Sequence, residues 1–207
     1  GELAVSWASQ PDQPEHGTSH ISIVDEEGNA VAMTTTIEQA FGSRILSDGG
    51  TGLAGGFLLN NELTDFSFAP EVDGDPVANR VEPGKRPRSS MSPTLVFDQE
   101  SGELVASLGS PGGAAIIHYT ARTLIALRDW GLSAQEALNL PHAITLGGDV
   151  YIEEGRFPEE TIESLRERGH TVSERELTSG LQAIRRLNDG TLFGGADPRR
   201  EGVVMGD

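Results

Sequence analysis

Apolar and polar positions alternate in two short runs near the start of the chain, His20–Val24 and Ala30–Thr36, which predicts a pair of half-buried strands. The residues between them, Asp25-Glu26-Glu27-Gly28-Asn29, are rich in turn formers, so the pair reads as a hairpin. A second hairpin is predicted for Thr94–Asp98 and Leu104–Leu108 around the turn Gln99–Gly102. A third joins Leu181–Leu187 to Thr191–Gly195 through Asn188-Asp189-Gly190. Elsewhere the period lengthens. Ala114–Trp130 places apolar residues at Ile116, Ile117, Ala121, Leu124, Ile125 and Leu127, the spacing of a buried helix, and Gly131 stops it. Ser133 caps a shorter helix that Pro141 ends. Pro158–Arg168 predicts an amphipathic helix that opens on acids and closes on arginines, the order the helix dipole favours. Hairpins alternating with helices predict an α+β layered domain, with no internal repeat.

Between these elements the pattern lapses. Residues 1–17 end in a Pro-, Gln- and Glu-rich stretch that reads as a linker, leaving 18–207 as the domain. Gly42–Gly56 is a Gly-rich loop, and Phe57–Leu59 is a short apolar step into the polar run Asn60–Asp65. Phe66–Arg88 holds four prolines and no periodicity, an irregular segment of the kind that is functional or mobile.

Composition narrows the chemistry. The length of 207 residues suffices to bury a sizeable core. A formal charge of -17 argues against nucleic acid or an anionic membrane surface as partner, because phosphates require clustered Lys and Arg. No run of about 18 apolar residues is present, so no membrane span is expected. The chain has no cysteine, which excludes disulfides, thiolate catalysis and zinc-thiolate sites. His16, His20, His118, His142 and His170 lack ligand spacing, so neither a metal nor a cofactor is expected. Residues 1–17 do not form a signal peptide, and the compartment, periplasmic, secreted or cytoplasmic, stays open.

Four short constellations carry candidate chemistry. Gly17-Thr18-Ser19-His20 puts a hydroxyl at the entry to the first strand, an ordinary feature by itself. Gly109-Ser110-Pro111-Gly112-Gly113 lies between a strand and a helix. Backbone N–H groups at a helix start have no carbonyl partner and suit an oxyanion; a tight turn that needs glycine is the equal alternative. Ser89-Ser90-Met91-Ser92-Pro93, after Lys85-Arg86-Pro87-Arg88, could hold a carboxylate or be a solvated turn. The acids of Asn60-Asn61-Glu62-Leu63-Thr64-Asp65 could hold an ammonium group.

Taken together and in order, these segments resemble the small subunit of the γ-glutamyltranspeptidases. The resemblance rests on Thr18-Ser19-His20, Asp25–Asn29, Thr34-Thr35-Thr36, Phe57-Leu58-Leu59-Asn60-Asn61 and Asp65-Phe66. It continues through Lys85-Arg86-Pro87, Ser89-Ser90-Met91-Ser92-Pro93-Thr94, Gly109–Gly113 and Ala196-Asp197-Pro198-Arg199, and so runs from Thr18 to the end of the chain. It implies the α+β, four-layer αββα sandwich of the N-terminal-nucleophile hydrolases. It further implies a precursor that cuts itself between Gly17 and Thr18, so that the freed Thr18 amine serves as base for its own hydroxyl. The implied partners are the large subunit of the same precursor and a small γ-glutamyl substrate. The resemblance places Thr36 beside the nucleophile, Ser89 and Ser90 on the substrate carboxylate, Glu62 and Asp65 on its ammonium, and the Gly112 and Gly113 amides on the oxyanion.

Two departures qualify the match. Glu38 stands where many transpeptidases have asparagine. As a third substrate-binding acid it would crowd Glu62 and Asp65, since like charges about 5 Å apart repel by roughly 3 kcal/mol at an effective dielectric near 20. One carboxyl should then hold a proton, or Glu38 points elsewhere, or the acyl group is not glutamyl. The Phe66–Lys85 segment is also shorter than in transpeptidases with a lid over the site. Alternatives to a γ-glutamyl enzyme are therefore a related cephalosporin- or glutaryl-type acylase, or an inactive unprocessed fragment.

Overall fold

The computed structural model describes residues 6–8 and 17–206; most of the expected linker over residues 1–17 lies outside the described residues. The chain forms two compact units, residues 1–18 with 36–89, and residues 19–35 with 90–207.

Strands β1 (Thr18–Val24) and β2 (Ala30–Thr36) form the first predicted hairpin. Its turn closes when Asp25 N–H donates to the Asn29 carbonyl at 3.0 Å, with Gly28 at a φ of 83° that glycine adopts without strain. Counting outward from the 25/29 pair sets His20 opposite Thr34 and Thr18 opposite Thr36.

The first unit is mostly irregular. It holds the short antiparallel pair β3 (Leu46–Ser47) and β4 (Phe57–Leu58), a 3-10 turn over Glu62–Asp65, and the pair β5 (Glu71–Val72) and β6 (Asp75–Pro76). The last two lie inside the segment expected to lack structure. Asp73 and Gly74, both at positive φ, make their turn.

The second unit contains the core. Strands β7 (Thr94–Phe97) and β8 (Leu104–Gly109) pair as expected, and the 3-10 turn Gly113–Ala115 leads into α1 (Ile116–Arg128). Helix α2 (Ala134–Asn139) begins at Ser133 with a complete capping box: the Ser133 hydroxyl accepts from Glu136 N–H while the Glu136 carboxylate accepts from Ser133 N–H.

Next come β9 (Ala143–Thr145), β10 (Val150–Glu153), α3 (Glu159–Glu167) and β11 (Val172–Arg175), a three-stranded sheet ordered β11-β10-β9. Here β10 and β11 are parallel, joined through α3. The hydropathy pattern missed this sheet, because strands of three or four residues are too short to show a period. Finally β12 (Gln182–Arg186) and β13 (Leu192–Ala196) complete a four-stranded sheet ordered β13-β12-β8-β7.

Alternation along β8 builds the layers. Ala106 and Leu108 join the core with Ala126, Leu127, Ala137 and Leu138 of the helices. Ser107 and Gly109 face the opposite way: the Ser107 hydroxyl donates to the Val31 carbonyl, and a side chain at 109 would strike the His20 ring at 2.3 Å. Helices, sheet and hairpin thus follow one another in this unit. The buried face of α1 is Ile116, Tyr119, Thr120, Thr123, Ala126 and Leu127, whereas Ile117 and Ile125, expected inside, are exposed. No described helix is long and apolar enough to cross a membrane.

Candidate active site

Two hydroxyls meet at the open end of the first hairpin. The Thr18 hydroxyl donates to Thr36 Oγ1 at 3.2 Å, and the Thr36 hydroxyl donates to the Gly17 carbonyl oxygen, also at 3.2 Å. Thr36 Oγ1 further accepts the Glu38 N–H at 2.9 Å. Gly17 has φ 93°, and a side chain there would lie 2.6 Å from the Glu38 carbonyl oxygen. Only glycine fits this position. The bond between Gly17 and Thr18 is thereby presented with its carbonyl oxygen hydrogen-bonded by one threonine and a second threonine attached next to it.

Glu38 itself is buried and sits at φ 71°, in the left-handed region that a glutamate rarely adopts. Its carboxylate accepts from Asn61 Nδ2, so it points inward and not to solvent. Asn61 also accepts the Gln39 N–H through Oδ1, at 3.1 Å. This makes Asn61 the clamp between the residues after Thr36 and the acidic turn that follows.

On that turn Glu62 and Asp65 are close enough to share a hydrogen bond. Burial, that bond, and the charges of Asp65 and Glu38 together push the Glu62 carboxyl up to about 7. The crowding of three acids expected from sequence is present, and it acts on Glu62, whose carboxyl is raised into the neutral range. No group of three His, Asp or Glu side chains among the described residues could hold a metal ion.

Asn79 connects this turn to the stretch just before Ser89. Its side-chain NH2 donates to the Asp65 carbonyl at 2.6 Å and its Oδ1 accepts the Arg88 N–H at 2.9 Å, one residue before the exposed Ser89. Nothing in the sequence marked Asn79, since the role depends on a contact across 14 residues of irregular chain. Lys85 donates to the Ala78 carbonyl and pairs with Glu82, so its charge is already engaged.

Thr18, Thr36, Glu38, Glu62, Asp65 and Ser89 belong to the first unit; Ser90, Gly112 and Gly113 belong to the second. In the second, Gly112 and Gly113 have φ of 135° and 55° and precede α1, where the N–H groups lie beyond helical pairing. His20, two residues from Thr18, is held neutral by burial, its pKa lowered to about 4. Its ring nitrogens bond Thr34 at 2.8 Å and Ser22 at 3.2 Å, which suits it to packing and not to proton transfer.

The sequence profile of the γ-glutamyltranspeptidases matches residues 3–207. The chain belongs to this family. The glutathione hydrolase proenzyme of Escherichia coli K12 is 40% identical over 191 residues, covering 88% of this chain and 31% of its own length, so the chain spans about a third of that relative. Among solved structures, the γ-glutamyltranspeptidase of Pseudomonas nitroreducens superposes with a TM-score of 0.76 at 34% identity, covering 91% of this chain and 98% of that one. A cephalosporin acylase from Bacillus halodurans superposes with a TM-score of 0.74 at 26% identity, covering 90% of this chain and 33% of that one. The fold is the α+β arrangement of the N-terminal-nucleophile hydrolases. Of their four-layer αββα sandwich, the second unit of this γ-glutamyltranspeptidase-family chain contains the succession helix, sheet, sheet.

Proposed function

We propose that this chain is the small-subunit part of a precursor that cuts itself between Gly17 and Thr18 and then transfers or hydrolyses γ-glutamyl groups of glutathione-like amides. The carrying observation is Thr36, whose Oγ1 accepts from Thr18 and donates to the Gly17 carbonyl. In the cleavage step, Thr18 Oγ1 attacks the Gly17 carbonyl carbon while Thr36 polarises its oxygen. The C–N bond breaks, the nitrogen takes the hydroxyl proton, and the ester that forms is released by water.

The Thr18 amine freed in this way then accepts the proton of its own hydroxyl as that oxygen attacks the γ-carbonyl of the substrate. The proton passes to the departing amine, leaving a γ-glutamyl ester on Thr18. Water converts the ester to glutamate, or an amino acid takes the acyl group. Amides of Gly112 and Gly113 stabilise the oxyanion. Losing one such donor typically costs about 3 kcal/mol of transition-state stabilisation. Glu62 and Asp65 hold the substrate ammonium, and Ser89 and Ser90 its carboxylate. A large subunit from the same precursor completes the enzyme.

Mass spectrometry of the full-length protein tests this directly. A chain beginning at Thr18, absent from Thr18→Ala, and turnover of γ-glutamyl-p-nitroanilide only after cleavage are the expected results. An active uncleaved chain would sink the reading.

Glu38 favours one alternative, an acylase for larger amides, because a buried third acid beside the half-buried Glu62 and Asp65 is more than one ammonium needs. Asparagine tolerates the left-handed backbone of position 38 better than glutamate does. If Glu38→Asn raises γ-glutamyl turnover, the native substrate is the larger amide; a fall in turnover keeps the glutamyl reading.

A further inference from the structure

The Ser110–Gly113 turn holds two consecutive glycines at positive φ, a conformation that glycine adopts freely but is not confined to. Within the turn, the Ser110 hydroxyl donates to the Pro111 carbonyl at 2.6 Å, and two contacts from outside pack on the rest. A side chain at Gly112 would lie 2.6 Å from Tyr119 Cε2, so the tyrosine ring presses directly on that backbone. A side chain at Gly180 would lie 2.6 Å from Pro111 Cγ, and the Gly180 N–H donates to the Ser110 hydroxyl at 3.3 Å.

Both contacts lead to one buried trio. The Tyr119 ring sits against the His142 ring, with centroids 4.2 Å apart. His142 Nε2 is 2.6 Å from the Ser179 hydroxyl, and Ser179 is the residue before Gly180. Ser179 donates its proton to Asp197 Oδ2, which also accepts the Leu181 N–H at 3.1 Å. Because the single hydroxyl proton of Ser179 goes to the carboxylate, Ser179 accepts from His142, which assigns His142 as the Nε2–H tautomer. Burial, with Arg122, Arg199 and Arg156 nearby, lowers the His142 pKa to about 2 and keeps the ring neutral. His142, Ser179 and Asp197 are each at most 1% exposed, so no substrate reaches them.

We infer that His142, Ser179 and Asp197 are positioning residues that hold Tyr119 and Gly180 against the Ser110–Gly113 turn and so fix the direction of the Gly112 and Gly113 amides. The inference rests on the proposed acyl transfer for its kinetic consequence, though not for its structural one. An oxyanion site is worth its full stabilisation only when its donors are already aimed. A misplacement of about 1 Å in such a site costs on the order of a hundredfold in rate.

The test uses the full-length protein after processing. Ser179→Ala, nearly isosteric, should lower kcat about tenfold or more while leaving KM for a γ-glutamyl donor within about twofold. The affinity for a γ-boronic acid analogue, which becomes tetrahedral on the threonine oxygen, should fall by the same factor as kcat. Tyr119→Leu should behave likewise, and Tyr119→Phe, which keeps the ring edge on Gly112, should recover most of the loss. Hydrogen exchange followed by mass spectrometry should quicken over residues 109–116 in Ser179→Ala and stay unchanged in α3.

Equal exchange and equal kcat in Ser179→Ala and Tyr119→Leu overturn the inference, as does a parallel loss of kcat, KM and melting temperature, which marks general loosening. If Ser179→Ala does not fold, the Tyr119 pair decides. Failure of the proposed function appears separately, as no turnover by the wild-type protein, and the exchange measurement still judges the packing claim.

Discussion

Thr36 hydrogen-bonds the carbonyl of Gly17, 19 residues earlier, at 3.2 Å, and the same hydroxyl oxygen receives the proton of Thr18. A short hairpin with a five-residue turn produces this meeting, because antiparallel pairing brings the first residue of β1 beside the last residue of β2. Thr36→Ala should slow the appearance of a chain starting at Thr18 on the order of a hundredfold, the usual consequence of losing a donor to a developing oxyanion. Thr36→Ser should retain most of the rate. Time courses by gel and mass spectrometry separate the two variants.

Gly17→Ala challenges the backbone more than the chemistry. The new methyl group would sit 2.6 Å from the Glu38 carbonyl oxygen at a φ of 93°. Strain of about 1–3 kcal/mol is expected, relieved by shifting the Gly17 carbonyl, the proposed cleavage point, away from Thr36. Cleavage should then stall even where the melting temperature drops only modestly.

The Glu62 carboxyl predicts a pH dependence. Its pKa is raised from 4.5 to about 7, so between those values the folded protein binds a proton that the unfolded chain has released. Stability from this group is therefore complete below about pH 4.5 and is lost as pH rises through about 7. Glu62→Gln should flatten that decline in melting curves recorded from pH 4.5 to 8. An unchanged slope would mean that Glu62 is not the proton holder.

Arg199 holds the other buried charges. Its guanidinium, 7% exposed, pairs with Glu153 at 2.7 Å and Asp197 at 3.0 Å. Burial raises the Glu153 pKa, but hydrogen bonds and charge from Arg199 and the His142 N–H outweigh it, for a net lowering. Arg199→Ala strips the guanidinium from buried Asp197 and leaves Glu153 only Arg156 as its ion-pair partner, and should cost about 3–5 kcal/mol in denaturant unfolding.

Much of this was legible beforehand, for reasons that differ by element. The hairpin Thr18–Thr36 is local, since alternation and a turn of Asp, Gly and Asn suffice to set its pairing. The Ser133 cap and the end of α2 before Pro141 are local in the same sense. Strands β9 to β11 were not legible, because they draw their stability from partners up to 22 residues away and are too short to carry their own period. The exposed Ile117 and Ile125 show the converse: the helix period was right, and the packing partner chose a different face.

The order of the motifs along the chain, by itself, determined the family, the candidate nucleophile and the candidate acids Glu38, Glu62 and Asp65. Tertiary structure alone decided that the Glu62 carboxyl is raised, that Asn61 and Asn79 tie the acidic turn to its surroundings, and that His142, Ser179 and Asp197 stand behind the glycine turn. The reason is physical. Turn chemistry and alternation act between residues a few positions apart, whereas desolvation and the satisfaction of buried polar groups depend on segments that meet only when the chain has folded.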